Sequence, residues 1–194
     1  GAEDISRMND FLQDNYAPEK EGSRFTGHKH FWDSDQTIHR SPAWMASVKM
    51  ASWRVIGTEL INEDNLKGFY MADGALYTYC RGDEYLNIFP FWDWRKIPGI
   101  TSYESDAPVP AFFRYGEHVR NKTAFVGGVT DGHTGMTAMV LDRDGLQARK
   151  SWIFTDDYVL CLGAGIHSDS TLAVTTSIDQ RVKHGDLLRY EHKG

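Results

Sequence analysis

The chain has 194 residues with a formal net charge of −6, 41% hydrophobic residues and 25% charged residues. That length suits one domain with a substantial core. The acidic charge argues against a general binder of nucleic acid or of anionic membranes, although a local basic patch can still hold an acidic ligand. No apolar run is long enough to cross a bilayer. We therefore expect an ordinary globular protein whose partners include neither nucleic acid nor a membrane.

The first segment of the chain has the pattern of a short helix followed by a linker. Over residues 5–16, apolar residues recur at the spacing of one helix face: Ile5, Met8, Phe11 and Leu12. The polar "APEKEGS" that follows is typical of a linker. We expect residues 1–24 to form this helix and linker, and residues 25–194 to form the main domain. A first residue other than Met also predicts that something lies upstream.

After about residue 25, the apolar residues change to a period of two, which is typical of strands. In "WMASVKM" (44–50) the apolar residues share one face, and Ser47 and Lys49 take the other. Glycine turns such as "ADG" (72–74) and "DRDG" (142–145) favour hairpins. The pattern predicts an all-β domain of antiparallel strands, with two packed sheets favoured over a closed barrel. Further segments rich in β-branched and aromatic residues are 52–60, 68–72, 75–80, 110–115, 123–129, 135–141, 147–155, 157–163 and 171–178.

Two cysteines, Cys80 and Cys161, lie in the strand-like runs "ALYTYC" and "YVLCLG". Cysteines in such surroundings are typically buried free thiols, and a single disulfide is the alternative. We expect buried free thiols. Two cysteines do not define the redox compartment.

Several potential metal ligands lie close together in "GHKHFWDSDQTIHR", namely His28, His30, His39, Asp33 and Asp35. Two histidines spaced by two on a strand point to the same side, and imidazole is a zinc ligand. No third ligand stands at a spacing that closes such a site, and Lys29 and Arg40 add positive charge. We therefore predict a structural or substrate-edge role for these histidines, with no metal and no other cofactor.

Motifs for covalent catalysis and for nucleotide binding are missing from the sequence. There is no Gly-x-Ser-x-Gly elbow, and "GGVTDGHTG" (127–135) lacks the Gly-Lys-Ser/Thr ending of a phosphate-binding loop. Three carboxylates lie close together in "TELINEDN", namely Glu59, Glu63 and Asp64. Such a cluster can orient a basic residue or raise a pKa, and it can also be a solvated strand end. Both interpretations stay open on these residues alone.

The segment "FPFWDWRKIPGITSYE" (89–104) combines aromatic residues with charge ahead of a Pro-Gly turn. Flat apolar faces and the cations Arg95 and Lys96 suit an acidic sugar. Trp92 and Trp94, spaced by two, would also share one strand face that is buried against a second sheet. The residues themselves leave a sugar platform and a packing element equally open.

Four stretches carry a more specific pattern: "HKHFWDSDQTIHRSPAWMASVKMASWR" (28–54), "ELINEDNLKGFYMADGALYTYCRGDEYLNIFPFWDWRKIPGIT" (59–101), "NKTAFVGGV" (121–129) and "ARKSWIFTDDYVLCLGAGI" (148–166). Together they resemble the central β-sandwich of the family 8 polysaccharide lyases, which include chondroitin AC, hyaluronate and xanthan lyases, and of the related chondroitin ABC lyases. The resemblance covers nearly everything after residue 27. The form "WDWRKIPG" is most similar to that of the chondroitin-type members.

This resemblance implies an antiparallel supersandwich of the galactose mutarotase-like type. It also implies cleavage of acidic polysaccharide by β-elimination, in which a base removes the C5 proton of a uronic acid, the C4–O bond breaks and an unsaturated sugar remains. In the family, Asn, His, Tyr and Arg residues of an N-terminal α/α-toroid perform this chemistry. Residues 5–16 correspond at most to a remnant of the last toroid helix. The resemblance therefore implies that this chain does not encode the catalytic set.

One functional residue of the family's sandwich carries over to this sequence. The resemblance assigns to Glu59, in "ELINEDNLKG", the glutamate that orients a catalytic arginine. The resemblance leaves open whether Trp92 and Trp94 pack in the fold or contact sugar. It also leaves open whether Arg95 forms a salt bridge or faces the cleft. The candidate substrate-binding residues that it implies are Asn62, Asn65, Tyr70, Trp92, Trp94 and Arg95.

We therefore expect the sandwich portion of a chondroitin-type lyase, inactive alone because the helical catalytic domain is absent, in a periplasmic or extracellular bacterial setting. The expected partners are an acidic polysaccharide of the glycosaminoglycan type, and either a helical toroid or a second copy of the chain. A non-catalytic carbohydrate-binding or assembly module is the alternative. A third hypothesis is a mutarotase-like enzyme that uses His118 or His133 with Glu117 or Asp131.

Overall fold

The computed structural model describes residues 2–16, 26–59, 65–111, 118–186 and 188. Two 3-10 turns, Gly68–Tyr70 and Phe89–Phe91, lie between the strands. No helix in these ranges is long and apolar enough to cross a membrane. The regular elements are α1 (Ala2–Tyr16), β1 (Gly27–Phe31), β2 (Gln36–Arg40), β3 (Met45–Lys49), β4 (Thr58–Glu59), β5 (Ala75–Tyr79), β6 (Thr101–Tyr103), β7 (His118–Val119), β8 (Val126–Thr130), β9 (Gly135–Arg143), β10 (Leu146–Phe154), β11 (Val159–Ser168) and β12 (Val174–Thr176).

The strands form two four-stranded sheets and two short ribbons. The first sheet has the order β1-β2-β3-β5 and the second has the order β11-β10-β9-β8, while β12 pairs with β6 and β4 pairs with β7. Every strand pair is antiparallel. The prediction of an all-β antiparallel fold with a short N-terminal helix is therefore confirmed.

The two large sheets bury one common apolar core between them. Along β10, alternate residues from Leu146 to Phe154 are buried, as the period of two requires. Ala46 and Val48 of β3 contribute from the opposite sheet to the same cluster as Trp152 and Phe154. Burial of a single large side chain of this kind stabilises a fold by roughly 2–3 kcal/mol. The interleaved faces fix the pairing of the two sheets.

A second cluster covers the outer face of the first sheet. Tyr77 and Tyr79 of β5 point away from the common core, and the segment that contains Ile88, Trp92 and Ile97 packs over them. The chain leaves this cover through the Pro98–Gly99 turn, where Leu76 N–H donates to Pro98 O at 2.8 Å. The aromatic segment singled out in the sequence is therefore a packing layer over β5. Its tryptophans follow a 3-10 turn, so the packing alternative holds without the strand face that it assumed.

Two further predicted strands are also wrong, because their backbone groups are bonded elsewhere. In 52–60 only Thr58–Glu59 is a strand, since the Ser52 N–H donates to the buried Asp35 carboxylate at 2.6 Å instead of to a neighbouring strand. In 68–72 the chain turns, because Met71 N–H donates to Gly68 O at 3.0 Å. Most of the predicted strand 110–115 lies outside the described residues.

Both cysteines depart from the predicted burial. Cys80 follows β5 and Cys161 lies on β11; both residues are exposed and their thiols are free. The prediction that they are buried is wrong, because β11 is the outermost described strand of its sheet and is exposed along most of its length. An apolar run alone does not distinguish a central strand from such an edge.

Two histidines are buried in the core although they are polar. His28 is 4% exposed and His39 is 1% exposed, their ring centroids are 5.6 Å apart, and Phe154 packs against both rings. None of their four ring nitrogens has a hydrogen-bond partner among the described residues. Burial lowers the pKa of His28 to about 4, and the nearby His39 and His30 act in the same direction. Burial also lowers the pKa of His39. Both rings are therefore held neutral.

This histidine pair predicts an acid-labile fold. A histidine whose folded pKa lies below its unfolded pKa of about 6.5 binds fewer protons when folded, so its contribution to the free energy of unfolding is complete above that pH and falls toward pH 4. We expect His28→Leu to reduce the loss of unfolding free energy between about pH 7.5 and pH 5 by about 2 kcal/mol. Urea unfolding at both pH values measures this. His133→Gln, at an exposed site, is the control, and equal pH dependence in all three proteins would contradict the prediction.

Candidate functional site

A cleft of about 380 Å³ combines two of the sequence-predicted site residues with a buried ion pair. It opens beside the turn Gly68–Tyr70, the end of β9 and the loop that follows β6. Tyr70 and Arg95 were predicted to contact substrate, and Arg143 was not. The lining residues are Phe69, Tyr70, Asp73, Arg95, Tyr103, Ser105, Pro110, Arg143, Asp144, Leu146 and Leu172.

Arg95 connects the two walls of this cleft. Its guanidinium donates to Tyr70 Oη at 2.9 Å, to Ala107 O at 3.0 Å and to Pro108 O at 2.8 Å. It also lies 5.8 Å from the centre of the Tyr70 ring. All of these acceptors are neutral, and no described carboxylate forms an ion pair with its side chain. Its positive charge is therefore available to an anion in the cleft.

Arg143 is the second cation of the cleft, and its charge is compensated. Its Nε donates to both carboxylate oxygens of Asp73 at 3.1 Å, its Nη2 contacts the same carboxylate, and its Nη1 donates to Asp144 at 2.7 Å. Its guanidinium stacks 4.5 Å from the Phe69 ring and 5.2 Å from the Tyr70 ring. Burial alone would lower the pKa of Arg143, but the charge and hydrogen bonds of Asp73 raise it. The pair is therefore a fixed, charged support beneath Tyr70.

The position of Asp73 follows from the tight turn "ADG". The Asp73 N–H donates to Tyr70 O at 3.2 Å. Gly74 has φ +87°, and a Cβ at this position would lie only 2.8 Å from the Trp152 ring. Only glycine fits such a position without strain. The sequence showed both "ADG" and "DRDG" as turns, but it held no signal that a 70-residue separation would be closed by an ion pair.

Glu59, to which the resemblance assigns a role, lies on β4 next to the turn Gly68–Tyr70. β4 contacts the turn Gly68–Tyr70, and Asn65 Nδ2 donates to Thr58 Oγ1 at 2.9 Å. Asn65 has a left-handed backbone, φ 56°, and a Cβ on Gly68 would collide with its amide. The Glu59 backbone pairs with His118, while its side chain and the whole of Asn62 lie outside the described residues. Their predicted roles stay predictions.

The other two predicted contact residues lie in the packing layer over β5. Trp92 is 5% exposed, with ring centroids 5.9 Å from Tyr85 and 6.3 Å from Trp94. Trp94 is partly exposed and stacks on Phe89 at 6.0 Å. Arg95 follows Trp94 in the chain, but its side chain points toward Tyr70 and donates to the Tyr70 hydroxyl. The structure thus brings Tyr70 and Arg95 together at the cleft. Trp92 and Trp94 share one hydrophobic cluster with Tyr70, but they do not line the cleft.

The remaining sequence candidates form no compact acid–base set among the described residues. His133 Nε2 lies 3.0 Å from Asp156, and Asp131 accepts the backbone N–H groups of His133 and Thr134. Glu117 and the cluster residues Glu63 and Asp64 lie outside the described residues. Within the described ranges, no group of three or more His, Cys, Asp or Glu side chains is arranged to hold a metal ion.

The Asp73–Arg143 pair yields a stability prediction. Arg143→Met leaves a buried carboxylate without its partner, so we expect the free energy of unfolding to fall by about 3–5 kcal/mol. The exposed pair of Arg81 and Asp83 is the matched control, and Arg81→Met should cost less than about 1 kcal/mol. Adding Asp73→Asn to Arg143→Met should recover part of the loss. Urea unfolding measures all three, and a loss at Arg143 no larger than at Arg81 would contradict the prediction.

Comparison with known proteins identifies the family of this fold. Residues 26–193 match the family described as "Polysaccharide lyase family 8, super-sandwich domain". The chain is 44% identical to the chondroitinase-AC of Pedobacter heparinus over 163 residues, which are 83% of this chain and 23% of that relative.

Solved structures give the same result. A chondroitinase AC lyase solved with oligosaccharides matches with a TM-score of 0.82 at 36% identity, covering 95% of this chain and 27% of that chain. The chondroitin AC lyase of Streptomyces coelicolor A3 in complex with chondroitin sulphate matches with a TM-score of 0.77 at 34% identity, covering 92% and 24%. The chain thus spans about a quarter of the length of these relatives. It belongs to polysaccharide lyase family 8, and the fold described above is that family's super-sandwich domain.

Proposed function

We propose that this chain supplies the super-sandwich part of a lyase that cleaves an acidic glycosaminoglycan of the chondroitin type by β-elimination at a uronic acid. The observation that carries the proposal is its 44% identity to a chondroitinase-AC, supported by its likeness to a structure in complex with chondroitin sulphate. A polymer of this size is degraded outside the cytoplasm, so the proposed setting is the periplasm or exterior of a bacterium.

The proposed reaction needs groups that the described residues do not assemble. A base must take the C5 proton while a cation or hydrogen-bond donor stabilises the developing enolate, and an acid must protonate the C4 oxygen as its bond to carbon breaks. The 15-residue α1 is the one α-helix among the described residues, and its apolar side chains Ile5, Met8 and Leu12 are exposed. We propose that a helical toroid supplies these groups and that Glu59 orients one of its arginines.

Within the sandwich, we propose that the cleft at Tyr70 and Arg95 contacts the acidic chain. Arg95 offers a guanidinium whose described contacts are all neutral. Four of its five N–H groups are used in these contacts, and the remaining N–H on Nη1 can donate a charge-assisted hydrogen bond to a carboxylate or sulfate. Tyr70 adds an aromatic face, and its hydroxyl is fixed by the same arginine. The contact would position substrate and would perform no chemistry.

A non-catalytic assembly or carbohydrate-binding module is the second candidate. It is favoured by apolar side chains on the outer face of the second sheet, where Phe125, Met136, Leu160 and Leu162 are 40–61% exposed. A sheet that is apolar on both faces is usually covered on both. The proposed cover is a helical toroid or a second copy of the chain.

Turnover tests the catalytic half of the proposal. We expect the chain alone to produce no unsaturated uronic acid from chondroitin sulfate, because the proton-transferring groups belong to the toroid. Ultraviolet absorbance of the unsaturated product measures this. Mixing the chain with the helical part of a chondroitinase should restore turnover. Rapid turnover by the chain alone would show that the catalytic groups are misplaced, and binding without turnover in the mixture would favour the assembly module.

Binding tests the role of Arg95. We expect Arg95→Met to weaken the binding of chondroitin sulfate by about tenfold, because an ionic hydrogen bond contributes roughly 1.5–3 kcal/mol. Arg95→Lys keeps the charge and should lose less of the affinity for chondroitin sulfate than Arg95→Met. The affinity of the wild type should fall as salt is added. Isothermal titration calorimetry measures the affinities, with Arg81→Met as the control for loss of an exposed cation. Equal losses at Arg81 and Arg95 would argue against a contact at this cleft.

A further inference from the structure

We propose that a second, separate cavity beside Lys150 binds a small monocarboxylate with an apolar body, such as an aromatic or short-chain acid. This cavity shares no lining residue with the cleft at Tyr70 and Arg95. It lies between the inner faces of β10 and β11 and the segment after β12. The inference is independent of the lyase assignment.

The cavity has a volume of about 220 Å³ and a mostly apolar wall. Leucine, isoleucine and tryptophan side chains line it together with Lys150 and Cys161, and the exposed residues Cys161 and Ile178 stand at its open edge. An apolar cavity of about 150 Å³ is large enough to hold benzene, and drug-sized ligands need roughly 300 Å³ or more. The cavity therefore fits an acid with about the size of benzoate or hexanoate. Its apolar lining residues are Leu76, Ala148, Trp152, Leu162, Ile166 and Ile178.

The buried Lys150 next to this cavity has no described carboxylate in contact with its ammonium. Lys150 is 6% exposed, Arg143 is 5% exposed and Asp73 is 4% exposed. Asp73 gives both of its carboxylate oxygens to Arg143, while the Lys150 ammonium contacts backbone only, at Asp73 O and Gly99 O. Asp144 pairs with Arg143 as well, at 2.7 Å, so Lys150 is the buried cation in this group whose ammonium has no described carboxylate partner. An anion at Lys150 would supply that partner, because a buried charge is costly unless it is paired.

The position of Lys150 directs the proposed carboxylate. Its ammonium has three N–H donors, and two of them are used by the backbone carbonyls of Asp73 and Gly99. On another side it lies 5.6 Å from the centre of the Trp152 ring. The remaining donor can serve a carboxylate within the cavity, with the apolar body of the acid against the leucine and isoleucine side chains. Arg149 adds a second positive charge at the exposed rim.

Protonation of Lys150 should be coupled to this binding. Burial lowers the pKa of Lys150 to about 8, with Asp73 opposing. The thiol of Cys161 faces it from β11, and burial raises the pKa of that thiol. Arg143 stands behind Asp73, and the described segments 99–101 and 176–178 add no charged side chain. Because a carboxylate prefers the ammonium form, affinity should be full below about pH 7 and should fall as the pH rises through 8.

Calorimetric titration of the full chain with benzoate and with hexanoate tests the proposal. At about pH 6.5 we expect saturable one-to-one binding, and benzyl alcohol, the neutral analogue, should bind about tenfold more weakly or worse. Raising the pH to about 9.5 should lower the affinity for benzoate by about tenfold or more, because Lys150 is then mostly neutral. These two comparisons use the unchanged protein, so they do not depend on the folding of a variant.

Two variants locate the site. Lys150→Met removes the charge, and Gly163→Val fills the cavity, since a Cβ on Gly163 meets no atom within 4 Å. Both should reduce benzoate affinity by about tenfold or more. Their controls are Lys122→Met at an exposed site, and Gly127→Val, where a Cβ also meets no atom within 4 Å. No saturable binding, equal affinity for acid and alcohol, or equal effects of the test and control variants would overturn the proposal.

Discussion

The buried carboxylate of Asp73 connects the two large sheets at the cleft. It sits at the turn before β5, in the first sheet, and holds Arg143 at the end of β9, in the second sheet. Arg143 then supports the rings of Phe69 and Tyr70. A buried ion pair of this kind adds little net stability over apolar packing, but losing one partner is costly. Its value here is positional, since it fixes Tyr70 relative to the second sheet.

The same carboxylate separates two sites of different character. On one side, the cleft with Arg95 is open and lined by aromatic rings. On the other side, the Lys150 cavity is smaller and mostly apolar. Gly74 allows both, because any side chain there would strike the Trp152 ring. One tight turn therefore sets the geometry of the cleft and of the cavity together.

Much of the architecture was readable from local patterns. The period of two in 44–50 and 147–155, with glycine turns between strands, gave the antiparallel sheets and the inward faces. The errors had three causes: a distant partner for the Ser52 N–H at Asp35, a local turn from Met71 N–H to Gly68 O, and the edge position of β11. For the candidate site, Tyr70 and Arg95 were named from the sequence, but not their mutual hydrogen bond. Arg143 had no local signal, because its partner lies 70 residues away.

The aromatic segment at 89–104 shows where sequence reasoning ends. Its composition placed the tryptophans next to a Pro-Gly turn and left burial and sugar contact equally open, since large apolar rings suit both. Whether they cover a sheet or face a ligand depends on which surface lies opposite. The sequence by itself determined the strand-rich class, the turns and the family, because these rest on local periodicity and contiguous motifs. Only the tertiary structure decided which charges meet, because ion pairing and burial depend on distances between residues that are remote in the chain.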